Sequence, residues 1–117
     1  MVVNQQPFEA NIRYESNTAV IDLKGEINAF AETPLNAAFS EAISQQPASV
    51  MLNFGEVDYI NSTGIALIVG LLAEARKEHL PLIAYGLSDH YVEIFNITRL
   101  SDFMTLAIDE ESAKEAA

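Results

Sequence analysis

The sequence predicts an α/β domain: a mixed β-sheet that begins with an antiparallel hairpin and continues in αβ repeats, with helices packed on the sheet. Three observations predict it. Near the start, two runs of period-two alternation are joined by turn residues. From residue 33 onward, helical stripes alternate with short apolar runs, the pattern of parallel neighbours joined by crossovers. The chain has 117 residues and is 50% hydrophobic, which fits one packed core and leaves little room for a second domain. The expectation is one domain over 1–117, with 1–7 and 111–117 as loose termini.

Asn4-Gln5-Gln6-Pro7 reads as a loose start, and Phe8 to Tyr14 as a first strand. Glu15-Ser16-Asn17 has turn chemistry, and Thr18 to Lys24 alternates with Ala19, Ile21 and Leu23 on one face. Gly25 is expected to end that strand. Thr33-Pro34 predicts a helix start, with threonine as the cap and proline in the first turn. Leu35, Ala38, Phe39, Ala42 and Ile43 then form one apolar stripe. Val50 to Phe54 reads as a buried strand and Gly55 to Tyr59 as a loop. A second helix is expected from Ser62-Thr63-Gly64 to about His79. Leu82 to Tyr85 predicts a strand, Ser88 caps a third helix carrying Tyr91, Ile94 and Phe95, and Thr105 to Ile108 predicts a last strand.

Charge and composition exclude several functions. The net charge of −11, from 17 acidic and 6 basic residues, repels phosphate backbones and anionic lipid, so direct nucleic-acid binding is not expected. Asp109, Glu110, Glu111 and Glu115 meet only Lys114 in the tail, which reads as a solvated, frayed helix. With no cysteine there are no disulfides, thiolate metal sites or cysteine nucleophiles. No apolar run approaches the ~18 residues of a membrane span. Met1 to Pro7 lacks the basic start and apolar stretch of a secretory signal. No membrane insertion and a cytoplasmic location are the expectations.

The segment Asp58-Tyr59-Ile60-Asn61-Ser62-Thr63-Gly64-Ile65-Ala66-Leu67-Ile68-Val69-Gly70 carries the most information. It puts two adjacent hydroxyls at a helix mouth, where backbone N–H groups lack partners and the dipole is positive. The ordinary role for Ser62 or Thr63 there is the N-cap. At helical period, Ile65, Ile68, Leu72 and Ala75 form the core arc, with Leu67 and Leu71 to one side. Ala66, Gly70 and Ala73 make a small-residue flank on the other. Charges begin only at Glu74, so the first two turns are apolar or small nearly all round. Either this domain covers both sides or part of that surface awaits a partner.

These residues resemble the STAS family, and within it the anti-sigma-factor antagonists. Gly25-Glu26-Ile27-Asn28 is similar to the family's Gly-Glu-Leu-Asp-like element, and Asn61-Ser62-Thr63-Gly64-Ile65 to its Asp-Ser-Ser/Thr-Gly-Leu. Gly86-Leu87-Ser88, Ile94-Phe95 and Thr98-Arg99-Leu100 also fit, and the resemblance covers roughly Phe8 to Glu110. It implies a STAS-like fold and a protein-binding module in transcription regulation. Its phosphorylation site would be Ser62, with Thr63 as the alternative. The implied partners are an anti-sigma-factor serine kinase, captured by the unphosphorylated form so that the sigma factor is released, and a serine phosphatase that reverses the mark. ATP and magnesium would belong to the kinase; this chain needs no cofactor. The partner surface is expected at Asn28, Phe30, Asn61, Ser62, Thr63, Gly64, Ile65, Ala66 and Leu67. The sequence departs from the family at Asn28 and Asn61, both commonly aspartate. Either the phosphoacceptor loses an aligning carboxylate, or asparagine caps and turns as aspartate does.

An enzyme is the weaker reading. Ser62 as a nucleophile needs a base, and His79 lies over ~20 Å along the helix at 1.5 Å per residue. His90 has only Asp89 and Glu93 nearby in sequence. Neither a phosphate-binding glycine loop nor a metal-ligand spacing is present. The other alternative keeps the fold and makes the chain a STAS subunit of a membrane transport complex.

Overall fold

The structure, a computed structural model, describes residues 7–117; the expected loose start at 1–6 lies outside the described residues. Five strands form one sheet in sequence order: β1 Glu9–Glu15, β2 Thr18–Ile27, β3 Ser49–Ile60, β4 Leu82–Tyr85 and β5 Thr105–Ala107. β1 and β2 are the antiparallel hairpin, and every later pair is parallel. The helices are α1 Glu32–Ser44, α2 Ser62–Lys77, α3 Asp89–Ile97 and α4 Glu110–Ala116. The mixed α/β architecture is the one the alternation predicts.

The main core lies on one face of the sheet. There Ala19, Ile21 and Leu23 of β2 and Val50, Leu52 and Phe54 of β3 meet Leu35 and Phe39 of α1, Ile68, Leu71 and Leu72 of α2, and Phe95 of α3. The alternate residues Val20, Met51, Ile83 and Tyr85 form a smaller cluster on the other face, covered by Ala113 of α4. Strand alternation thus feeds two cores, which is why the stretches Ala19–Ile21, Val50–Leu52 and Leu82–Tyr85 are apolar at consecutive positions.

Several boundaries differ from expectation. Gly25 does not end β2. It adopts φ 96° inside the strand, between register shifts, and the ladder resumes with Glu26 opposite Tyr59 and Ile27 opposite Ile60. Residues 55–59, expected as a loop, are the outer half of β3. They pair with β2 alone, because β4 ends at Tyr85 opposite Asn53. Gly55, Glu56 and Asp58 are exposed there, so the apolar signal stops where the hydrogen bonding does not. α1 begins at Glu32, before the expected Thr33 cap. A 3-10 turn at Ala29–Ala31 leads into it, with the Asn28 side chain accepting from Phe30 N at 2.9 Å. Pro34 still falls in the first turn, where no N–H is missed.

The C-terminal segment 111–117 is not a frayed end. Asp109 caps α4 by accepting from Ser112 N at 2.9 Å, and Ala113 is fully buried. Arg13 of β1 binds Asp22 through two guanidinium nitrogens, at 2.6 and 3.0 Å, and also donates to Glu110 at 3.0 Å. Glu110 in turn accepts from the Tyr85 hydroxyl at 2.9 Å. Isolated surface ion pairs contribute only ~0–1 kcal/mol, so the bidentate geometry and the shared arginine matter more than the number of pairs. The tail's acidic residues mislead because one of them has its cation in β1, nearly a hundred residues away in sequence.

Hydrogen bonds from Arg13, and then from Tyr85, lower the Glu110 pKa to about 2. A depressed carboxylate stabilises the folded form above its unfolded pKa and loses that contribution as pH falls through the folded value. The protection factor of the Ala113 amide, its exchange rate relative to that of an unstructured amide at the same pH, is therefore expected to be high at neutral pH and to fall as pH drops from the ordinary glutamate range towards about 2. Glu110→Gln should exchange faster at neutral pH and lose most of that acid dependence. Identical profiles for the two proteins would dissociate α4 docking from this carboxylate.

Candidate functional site

The expected site lies where β3 turns into α2. β2 and β3 run on together past the end of β4, bringing Ile27 beside Ile60, and the next two residues after Ile60 are Asn61 and Ser62. Asn61 N donates to the Ile27 carbonyl at 3.2 Å. Its side-chain oxygen accepts from Gly64 N at 2.8 Å, and Asn61 is the N-cap of α2. Neither Ser62 nor Thr63 is the cap, as the sequence alone suggested. Both are the first residues of the helix and both are exposed. Asn28, which follows Ile27 as Asn61 follows its strand partner Ile60, has the same job, capping the 3-10 turn that packs against α2. The two asparagines that depart from the family pattern therefore turn and cap as aspartates would.

Gly64 is set by close approach. A Cβ there would lie 2.1 Å from the Ile27 carbonyl oxygen and 2.9 Å from Ile60 Cγ2, so only glycine lets the first turn of α2 sit on the end of β2. From α3, the buried Tyr91 hydroxyl accepts from Ile60 N at 2.9 Å and donates to Ile60 O at 3.3 Å. In the sequence Tyr91 reads only as a core position. Nothing local signals that its hydroxyl reaches the residue before the cap.

The expected surface residues divide in three. Phe30 (81% exposed), Ser62, Thr63 and Ala66 face outward. Asn28, Asn61, Ile65 and Leu67 are half-buried, the last two packed against the main core. Gly64 is buried. Leu71, placed beside the core arc by periodicity, is inside it. Val69, 46% exposed, joins Ala66, Gly70 and Ala73 on an uncovered apolar stripe leading away from Ser62, and Tyr59 is half exposed just before the turn. Unbroken apolarity hid Val69, since periodicity alone does not say which side of such a helix is left open.

The shifted proton affinities lie elsewhere, on the α4 side. Side-chain hydrogen bonds from Arg13 lower Asp22, while burial and then Glu110 raise Tyr85. His79 follows α2 in a left-handed conformation (φ 56°), and His90 stands exposed on α3 against the edge of Tyr91. The site therefore presents hydroxyls, a helix N-terminus and a small-residue surface.

Comparison with known proteins places this arrangement. The STAS domain family matches residues 9–113, and the chain belongs to that family. It is similar to the anti-sigma-B factor antagonist of Listeria monocytogenes, 31% identical over 94 residues, which are 79% of this chain and 82% of the relative. The anti-sigma-B factor antagonist of Bacillus subtilis is 24% identical over 104 residues, 89% and 94% of the two chains. Among solved structures, the Bacillus cell fate determinant SpoIIAA in its phosphorylated form matches with a TM-score of 0.70 at 25% identity, over 95% of this chain and 100% of that one. No helix among the described residues is long and apolar enough to cross a membrane.

The corner makes distinct demands on its residues. Asn61→Ala should cost about 1 kcal/mol, as losing a cap does, whereas Asn61→Asp should stay within a few tenths. Gly64→Ala should cost ~3 kcal/mol or more, because the added methyl meets backbone oxygen rather than a movable side chain. Thermal melts of the three variants check the order. A Gly64→Ala protein as stable as Asn61→Asp would mean that α2 can lift off β2 freely.

Proposed function

We propose that this chain is an anti-sigma-factor antagonist whose unphosphorylated form binds an anti-sigma-factor serine kinase and so releases the sigma factor. Phosphorylation on Ser62 blocks that binding, and a serine phosphatase restores it. The carrying observation is that Asn61 holds the cap of α2, which leaves the Ser62 hydroxyl exposed beside the stripe of Ala66, Val69, Gly70 and Ala73. The names of the Listeria and Bacillus relatives support the role, and the phosphorylated Bacillus structure supports the chemistry. Thr63 is the alternative acceptor. ATP and magnesium sit on the kinase; this chain is a substrate and binding module, not an enzyme, and it works in the cytoplasm.

The physics of the switch follows from the site. A phosphate at Ser62 meets a helix N-terminus with unpaired N–H groups, a setting that contributes ~0.3–1 kcal/mol when exposed. Its nearly double charge borders a small-residue surface, where a docking partner must desolvate it. The modification is tolerated by the fold and opposed by the complex.

The deciding experiment co-purifies the chain from its native cell and incubates it with the captured kinase and ATP, with the modified residue mapped by mass spectrometry. Capture of a kinase-type anti-sigma factor and label at Ser62 are expected. Capture of a transporter ATPase instead would establish the transport-subunit alternative, and label lost only in Thr63→Ala would move the acceptor. Ser62→Asp is expected to weaken kinase binding while stability moves by no more than about 1 kcal/mol. Calorimetric titration showing undiminished affinity would count against charge exclusion.

A further inference from the structure

We infer that Tyr91 is the positioning residue of the Ser62 switch, through a hydrogen-bonded clamp that carries the placement of α3 to the phosphoacceptor. The inference rests on the proposed role of Ser62 for its consequence, and on geometry alone for the clamp. β3 outruns β4 by the length of its outer half, since β4 ends opposite Asn53. At Ile60 the N–H and C=O that face away from β2 consequently have no strand to pair with. The Tyr91 hydroxyl takes both, accepting from Ile60 N at 2.9 Å and donating to Ile60 O at 3.3 Å. One phenol does what the missing end of β4 would have done.

The next residue makes the clamp functional. Asn61 N is bound on the opposite side, to Ile27 O at 3.2 Å, so the backbone entering α2 is held from β2 and from α3 at successive residues. The Asn61 side chain then fixes Gly64 N, and Ser62 lies between these two points. α3 is itself seated on the same strand, because Phe95, one turn beyond Tyr91, packs edge-on against Phe54 with ring centres 6.0 Å apart. Tyr91 is buried, so water does not replace its hydroxyl without rearrangement. Phosphoryl transfer depends on alignment of the attacking oxygen, and misplacement by about 1 Å costs on the order of 100-fold in rate. Ser62 owes its placement to an arc of contacts that ends on α3.

Tyr91→Phe separates positioning from plain packing, because the ring stays and only the hydroxyl leaves. Amide exchange is read first, without any kinase. Faster exchange at Ile60 is expected from either role, because its acceptor is gone. A positioning role also predicts roughly tenfold faster exchange at Asn61 and Gly64, whose own acceptors are untouched, with Leu52 unchanged. The kinase assay follows: kcat for Ser62 phosphorylation should fall about tenfold or more, with KM within about twofold. Exchange at Asn61 and Gly64 equal to wild type overturns the clamp. Altered exchange with unchanged phosphorylation kinetics overturns its role in the switch. If the wild-type chain is no substrate for an anti-sigma-factor kinase, the proposed function fails while the exchange result still decides the clamp. Should Tyr91→Phe not fold, Phe95→Leu, which loosens the seat of α3 and keeps the hydroxyl, should produce the same pattern in weaker form. A wild-type pattern in that folded variant would overturn the inference.

Discussion

The site depends on one approach, that of the first turn of α2 to the carbonyl of Ile27. It requires β2 and β3 to continue side by side beyond the rest of the sheet, and it requires a residue without a side chain at the point of contact. Gly25 serves the first requirement by absorbing a register shift at positive φ, and Gly64 serves the second. With the helix seated there, its cap must come from the residue between strand and helix. That residue is Asn61, and Ser62 follows as the first helical residue, turned outward. Exposure of the hydroxyl is thus a consequence of how the backbone packs, not of the serine's polarity.

Much of this was legible in the sequence. The strand and helix order and the position of the hydroxyl pair follow from local pattern, whereas the one packed core expected from composition is divided between the two faces of the sheet. The misses share a cause. Residues 55–59 carry charges and a glycine because that stretch has one strand neighbour and much exposed surface, yet its backbone bonds are made by β2. Local composition reports burial, whereas strand extent is decided by what lies alongside. α4 is the same lesson in electrostatic form: Glu110 looks solvated until Arg13 and Tyr85 are brought to it by the sheet. Thr33 reads as a cap by residue type, but the 3-10 turn capped by Asn28 starts the helix earlier.

The functional surface was legible in type and less so in extent. A helix apolar all round says that something covers it, and periodicity assigns the strongest arc to the core. Which flank the same chain covers depends on neighbouring elements. Ile65 and Leu67 turn partly inward, and Val69 turns out. Tyr91 was invisible for a different reason: an aromatic at a helical core position is expected on packing grounds, and its hydroxyl partner is the backbone of a residue with no polar side chain to mark it.

The division of charge across the molecule suits the proposed switch. Arg13, Asp22, Glu15, Glu110 and Lys114 are drawn together on the α4 side, where fixed charges answer one another. At the α2 corner the two residues that cap are amides. A carboxylate at Asn61 would hold Gly64 N equally well, but it would offer only acceptors to a dianion arriving on the adjacent residue. The amide accepts with its oxygen and carries an NH2 beside it, so it adds no repulsion. On the proposed reading the asparagines keep the cap and leave the phosphate as the dominant change of charge at the site. The difference a partner senses between the two states is then set mainly by the phosphate's desolvation, with little change in the fold that presents it.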